Sequence, residues 1–207
     1  MVTLLRPTKS AEAVSIVRDK FIIEMIVRDN LPAFLKYDKE TGMVEKLDKV
    51  MIKNEPMPFL PFPRGDNRLL ACLWPSDASE YGTDIQLIED IRFFIHKWVD
   101  LRPEFETIAV FYTLFTYIYE EFLECPYLRV LADLGAGKSR LVIDVLGSIV
   151  FRGIRTIGVS SIASLFRIMH TLRGTLIMDE ADLKEQGDKT SELIQMLNSV
   201  YKSGVYI

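Results

Sequence analysis

Residues 127–140 read YLRVLADLGAGKSR, an apolar run followed by a glycine-rich loop and the start of a predicted helix. The run YLRVLADL predicts a short buried strand. The helix is predicted to begin at Lys138, with Leu141, Val145 and Ile149 on one face. A glycine-rich loop between a strand and a helix is typical of a phosphate-binding loop, because backbone N–H groups and the helix N-terminus both attract anions.

The residue types in this loop fit that chemistry. Gly135 and Gly137 have no Cβ, so their backbone can approach phosphate oxygens closely. Lys138 can reach the β- and γ-phosphates of a nucleotide, and the hydroxyl of Ser139 can bind Mg²⁺. The strict pattern begins with Gly, whereas its looser form accepts the Ala that stands here at position 132. The predicted nucleotide-binding residues are Ala132, Asp133, Leu134, Gly135, Ala136, Gly137, Lys138, Ser139 and Arg140.

A second element follows in residues 174–180, GTLIMDE, where an apolar strand ends in two acids. Asp179 would hold Mg²⁺, directly or through water, and Glu180 would orient and deprotonate the attacking water. A strand that ends in acids is a weak signal alone, but it gains weight beside a phosphate-binding loop. We therefore predict Ser139 and Asp179 as metal ligands and Glu180 as the catalytic residue.

Three arginines leave two interpretations open. Arg140 lies just inside the predicted helix, and it is expected either near phosphate or in a structural role. Arg167 and Arg173 are candidates for arginine fingers that act in trans, but an ordinary solvated helix face is the favoured interpretation.

The second half of the chain alternates strands with helices. The strands are predicted at 127–133, 154–159 and 174–179, and a last helix is predicted at 189–201. Such alternation implies parallel pairing, so the predicted fold class is α/β with a three-stranded parallel core flanked by helices.

The first sixty residues are predicted to form a helix and a hairpin. Apolar residues recur at helical spacing over 9–29, and Pro32 would end this helix. Residues 33–52 predict a β-hairpin with Gly42 at positive φ in its turn. Residues 54–64 contain four prolines and predict a linker or an extended surface segment.

Two helices are predicted at 84–100 and 104–124, separated at Arg102-Pro103. The second is apolar on most sides, which predicts that its large side chains are buried in the core. These side chains are Phe105, Ile108, Phe111, Leu114, Phe115, Ile118 and Phe122.

Length and composition fit one domain with an accessory region. At about 150 residues a domain, 207 residues correspond to roughly 1.4 domains. The predicted organisation is an accessory region at 1–60, a linker at 61–83, a helical lead-in at 84–126 and the core at 127–207.

The remaining composition excludes several classes of protein. The net charge is −4, and no segment is basic enough to indicate nucleic-acid binding by charge alone. Cys72 and Cys125 form no CxxC pair, so a disulfide framework or zinc site is not expected, and a reducing cytoplasm fits. The longest uncharged run of the aromatic-rich part, Thr107–Tyr119, is shorter than the about 20 residues that a membrane span needs.

The runs PYLRVLADLGAGKSRLVIDVLG, SSIASLFRIMHTLRGTLIMDEADL and ELIQMLNSVYKSG together resemble the ATPase core of phage and mobile-element replication proteins. These are primase–helicase-type P-loop NTPases of the AAA+ and superfamily 3 helicase kind, and the resemblance covers roughly residues 84–207. It implies ATP and Mg²⁺ as ligands, DNA as a partner, and a homo-oligomeric ring, possibly hexameric, with the ATP site at a subunit interface. It also implies work in DNA replication in the cytoplasm, with no membrane partner.

The chain departs from that family after the second acidic motif, where the family continues with further strands, a sensor residue and an arginine finger. The strand at 127–133 would then lack its usual neighbours, and we expect the chain to be the N-terminal part of a longer protein or a truncated gene product. Two alternatives to an ATPase motor stay open. One is a non-hydrolysing, regulatory or inactive nucleotide-binding module; the other is an interaction domain in which residues 1–83 do the work.

Overall fold

A computed structural model of the chain describes residues 11–53, 57–133, 135, 137–155 and 162–178. The chain divides into two compact units. The first comprises residues up to Leu70 together with Trp74–Glu80, and the second comprises Ala71–Leu73 and the chain from Tyr81 onward.

The first unit is built on a four-stranded antiparallel sheet in which neighbours along the chain are neighbours in space. Two further short strands pair in parallel, and a 3₁₀-helix spans Asn67–Leu70. The sheet strands are β2 (Ser15–Val17), β3 (Phe21–Arg28), β4 (Leu31–Asp38) and β5 (Val44–Leu47), and the parallel pair is β1 (Ala11–Glu12) with β6 (Phe59–Leu60).

The predicted helix over 9–29 is wrong, because β1, β2 and β3 occupy this region. The run Phe21–Arg28 is rich in β-branched residues, which lose rotamer freedom in a helix and pack well on a pleated sheet. Ile23 and Met25 are buried on one face of this strand, and Ile26 is buried on the other, since successive side chains of a strand point to opposite faces.

Pro32 does not end a helix but lies within β4, opposite Val27. The backbone N–H of Val27 donates to the carbonyl oxygen of Pro75 at 2.9 Å and so points away from β4. Residues 27 and 32 therefore form a pair without hydrogen bonds between the two strands, and the missing N–H of proline removes no ladder bond.

The hairpin predicted over 33–52 is confirmed by β4 and β5. Asp38 begins the turn, and its carboxylate accepts the backbone N–H groups of Glu40 and Thr41 at 3.0 and 2.9 Å. These backbone hydrogen bonds hold the pKa of Asp38 below its ordinary value, the bond from Thr41 being the largest cause. Gly42 has a φ of 70°, as predicted.

The second unit combines helices with a two-stranded parallel sheet. Its strands run Ile154–Arg155 (β7) and Leu176–Ile177 (β8) and pair in parallel, so the predicted pairing of these two strands is confirmed. The helical elements are α1 (Asp84–Trp98), α2 (Pro103–Tyr117), a 3₁₀-helix at Tyr119–Glu121, a π-helix at Arg140–Leu146, α3 (Gly147–Ile149) and α4 (Ile162–Leu172).

The helix break at Arg102-Pro103 is confirmed. Thr83 caps α1 by accepting the N–H of Gln86 at 3.2 Å, and Pro103 opens α2 at its first position. Pro is favoured there because its fixed φ suits a helix and its missing N–H would have no helical partner. α2 ends at Tyr117, earlier than predicted.

The first strand of the predicted three-stranded core is wrong, because residues 127–133 form no strand. At Ile154, one edge of β7 pairs with Leu176 of β8 and the other forms an antiparallel bridge to Cys72. Both edges of β7 are thus occupied, and a strand without a ladder partner is not stable by itself. The continuation of β7 past Arg155 and the helix predicted at 189–201 lie outside the described residues.

The predicted burial of the seven large side chains in this region is wrong for five of them, while Leu114 and Phe115 are partly buried. Phe105, Ile108, Phe111, Ile118 and Phe122 each expose about half of their surface. The face that packs inward carries mostly smaller residues, which allow close approach of the neighbouring helices. These inward residues are Glu106, Ala109, Val110, Thr113 and Thr116.

The core of the second unit lies between α1, α2, the π-helix and β8. It contains Ile95, Ala109, Val110, Leu141, Val145, Leu146, Val150 and Ile177.

None of the helices in the described part of the chain combines the length and the apolar character that crossing a membrane requires.

Candidate nucleotide-binding site

The glycine-rich loop leads directly into a helix. Gly135 and Gly137 have φ values of 84° and 80°, a region that L-residues with a Cβ rarely adopt. The helix begins at Lys138, and the N–H of Leu141 donates to the carbonyl oxygen of Gly137 at 3.0 Å, which closes its first turn. The predicted start of the helix at Lys138 is therefore present.

The loop is open to solvent. Gly135 and Gly137 are exposed, and a Cβ on either would meet no atom within 4 Å. Ser139 is exposed and Lys138 is half-buried, both in the first turn of the helix. The start of a helix carries the positive end of its dipole, so an anion is attracted to this end.

Of the other loop residues, Ala132 and Asp133 are exposed. Leu134 and Ala136 lie outside the described residues.

The helix after the loop spans 138–149 and is widened to π geometry over Arg140–Leu146. The N–H of Gly147 donates to the carbonyl oxygen of Val142, five residues earlier. A π segment displaces carbonyl groups from the regular ladder and is often found next to functional sites. One such carbonyl, that of Ile143, accepts a hydrogen bond of 3.1 Å from the guanidinium of Arg155 on β7.

Arg140 has a structural contact. Its guanidinium lies 5.8 Å from the ring centroid of Trp98, the last residue of α1, in a cation–π arrangement. The structural interpretation of Arg140 therefore has a specific partner. Sequence reasoning missed Trp98 and Arg155, because neither stands in a motif whose spacing marks it.

The helix after the loop packs directly on β8. A Cβ on Gly147 would come within 2.9 Å of the Cδ1 atom of Ile177, and Ile177 shares the core with Leu141 and Val145. Asp179 follows Ile177 by two positions along the chain.

The predicted metal and catalytic residues Asp179 and Glu180 lie outside the described residues. Within the ranges that the structure describes, no three His, Cys, Asp or Glu side chains cluster so as to hold a metal ion.

The candidate arginine fingers lie on the surface. Arg167 is exposed on α4, and Arg173 follows this helix with its guanidinium 3.8 Å from the carboxylate of Glu120. Both partners of this ion pair are exposed, so it contributes little to stability. Both arginine side chains therefore lie in solvent, as the favoured interpretation predicts.

Comparison with protein-family models, with curated proteins and with solved structures found no match to this chain. The resemblance to replication ATPases therefore rests on the motif residues alone.

Proposed function

We propose that the chain binds ATP with Mg²⁺ at loop 132–139 and hydrolyses it, as a helicase-like ATPase module in DNA replication of a phage or mobile element. The observation that carries this proposal is the pair of positive-φ glycines, Gly135 and Gly137, directly before a helix that begins at Lys138. Open space around both glycines leaves room for a phosphate chain. The resemblance of the motifs supplies the reaction and the biological setting, which would be the cytoplasm.

Each residue of the proposed site has one task. The backbone N–H groups of the loop would bind phosphate oxygens, and the ammonium group of Lys138 would neutralise the β- and γ-phosphates. Hydroxyl and carboxylate oxygens are the donors that Mg²⁺ prefers, so Ser139 and Asp179 fit this ion. When bound, the ion would neutralise the charge that develops on the phosphates. Glu180 would hold the attacking water and accept its proton.

A non-hydrolysing nucleotide-binding module is the second candidate. The observation that favours it is the absence of strand pairing at 127–133, directly before the loop, among the described residues. A loop that is held by a helix on one side, and by no strand on the other, can still bind phosphate. Hydrolysis requires in addition that Glu180 is held within reach of one water molecule.

Titration with a fluorescent ATP analogue, with and without Mg²⁺, tests the binding site. We expect saturable binding that Mg²⁺ strengthens and that Lys138→Ala weakens at least tenfold. Arg129→Ala is the charge-matched control, because Arg129 is exposed and precedes the loop. Equal binding by Lys138→Ala and the wild type would place the phosphates elsewhere and would refute the proposal.

Turnover separates the two candidate functions. In the ATPase, Glu180→Gln should keep nucleotide binding and lose phosphate release. In the non-hydrolysing module, the wild type and Glu180→Gln should bind alike and both release no phosphate.

DNA and ring assembly are proposed from the resemblance alone. We expect single- or double-stranded DNA to raise the ATPase rate and ATP to promote a ring of identical subunits. A rate that DNA does not change would remove DNA from the proposal without affecting the nucleotide site.

A further inference from the structure

The outer face of α2 carries an apolar strip at regular spacing. The strip consists of Ile108, Phe111, Phe115 and Ile118, which follow one another at intervals of three, four and three residues. Phe111 is 53% exposed, and Ile108 and Ile118 are exposed to a similar degree. Phe122 extends the strip past the helix, since its ring centroid lies 5.1 Å from that of Phe115.

Among the described residues, the buried core of the second unit includes none of the strip residues. The opposite face of α2, which includes Ala109, Val110 and Thr113, is buried against the rest of the unit. Half-exposed side chains in such a row form one continuous apolar surface, which soluble proteins rarely leave uncovered.

The spacing of the strip fits a helix as the occupant. Intervals of three and four residues place side chains along one seam of a helix, where a second helix can receive them between its own side chains. With Phe105 and Phe122, the strip has six large side chains, of which all but the partly buried Phe115 expose about half of their surface. At about half of ~200 Å² on each of those five side chains, the strip offers about 500 Å². Two such surfaces would bury about 1,000 Å², the size of a weak, reversible interface.

The charges at the two ends of the strip select the direction of a second copy. Arg102 stands at the start of α2 between Asp100 and Glu104, whereas Glu120, Glu121 and Glu124 stand beyond its end, and all six are exposed. A parallel second copy would bring the two groups of three glutamates together. An antiparallel copy would keep these groups apart and set each Arg102 near the acidic end of the other chain, so the antiparallel direction is favoured.

We propose that the chain forms a homodimer in which the α2 strips of two copies pack antiparallel about a twofold axis. The axis passes between Phe111 and Phe115, so that Ile108 of one copy faces the partner's Ile118 and Phe111 faces the partner's Phe115. An isologous contact of this kind closes on itself and uses the same strip twice. The inference does not depend on the proposed nucleotide site.

Sedimentation velocity over about 1 to 100 µM, spanning micromolar dissociation constants, tests the dimer. We expect a concentration-dependent dimer whose dissociation constant rises at least tenfold in Phe111→Glu. The matched control is Phe93→Glu on α1, since Phe93 is 72% exposed and lies off the strip. This control should dimerise like the wild type, and both variants should keep the wild-type circular dichroism spectrum.

A wild-type monomer at 100 µM would overturn the proposal, whether the strip stays bare or another segment of the same chain covers it. A dimer that Phe111→Glu leaves intact would also overturn it, because a different surface would then hold the copies together.

Disulfide trapping tests the antiparallel direction, in chains that carry Cys125→Ser to remove the exposed native thiol. Ile118→Cys alone should not cross-link, because antiparallel packing separates the two positions by about 15 Å along the helix axis. A mixture of Ile118→Cys chains with Ile108→Cys chains should cross-link, since these positions face each other and a disulfide needs a Cα separation below about 7 Å. Rapid cross-linking of Ile118→Cys with itself would show a parallel pair and refute the proposed geometry.

Discussion

Gly174 lies so close to the backbone of Arg152 that a Cβ at position 174 would overlap the carbonyl oxygen of Arg152. Gly174 precedes β8, while Arg152 is buried just before β7 and donates from its guanidinium to the carbonyl oxygen of Leu172 at 2.7 Å. The contact thus fixes the two chain segments that lead into the parallel pair.

Gly174→Ala should therefore destabilise the second unit. The backbone atoms of Arg152 have little freedom to move, so we expect a loss of about 1–3 kcal/mol in the free energy of unfolding, as for other overpacked sites. Chemical denaturation followed by circular dichroism measures it. Arg129→Ala is the control, because Arg129 is exposed in the same unit and lies apart from this contact, and it should cost clearly less. Equal losses in both variants would contradict the close approach at Gly174.

Gly137→Ala should weaken nucleotide binding without loss of the fold. Its φ of 80° costs an L-residue with a Cβ roughly 1–2 kcal/mol, so the loop would relax away from the conformation that exposes its N–H groups. A loss of that size corresponds to about tenfold weaker binding. Gly65→Ala carries the same backbone strain, with a φ of 82°, in the other unit. This control should leave the affinity for the nucleotide unchanged. Equal affinities of the wild type, Gly137→Ala and Gly65→Ala would argue against a role of the loop in binding.

The parts of the structure that the sequence predicted correctly depend on local signals. Gly42 stands where positive φ is needed, and Pro103 stands where a helix begins. In each case the conformational restriction or freedom of one residue determines the backbone, whatever packs around it.

The predictions that failed depended on which face of a segment is covered. Apolar residues over 21–28 occupy nearly every position, so helical and strand periodicity fit them equally well. The missing signal was the pair Asp29-Asn30, which adopts positive φ at both positions and reverses the chain in two residues. Burial on α2 could not be inferred from composition, because its small and polar residues pack inward and its aromatic residues point outward.

Substitution of Asn30 tests the turn between β3 and β4. Asp29 and Asn30 have φ values of 52° and 60°, which match a two-residue hairpin turn. Asn30→Val should cost roughly 1–2 kcal/mol, since a β-branched residue is strained at positive φ. Asn30→Gly should retain the stability or raise it slightly, because Gly is favoured at this position of the turn. Denaturation midpoints of the three proteins give the comparison, and a helix at this position would reverse the order of the two variants.

The reactivity of the two cysteines tests the edge of the parallel pair. Cys72 is buried and forms the bridge to Ile154, and burial raises the pKa of its thiol from 9.0 to about 12, an effect that the nearby Arg152 opposes. Cys125 is exposed. Since the thiolate is the reactive form, a disulfide reagent at pH 8 should modify Cys125 rapidly and Cys72 only on unfolding.

The raised pKa of Cys72 also gives a pH dependence. The neutral thiol is the form that the fold retains, so its contribution to stability is complete below pH 9 and is lost as the pH rises toward about 12.

Cys125→Ser should remove the fast phase of modification and leave the slow phase. Rapid modification of Cys72 in the folded Cys125→Ser chain would show that residues 71–73 do not pack against β7 as described.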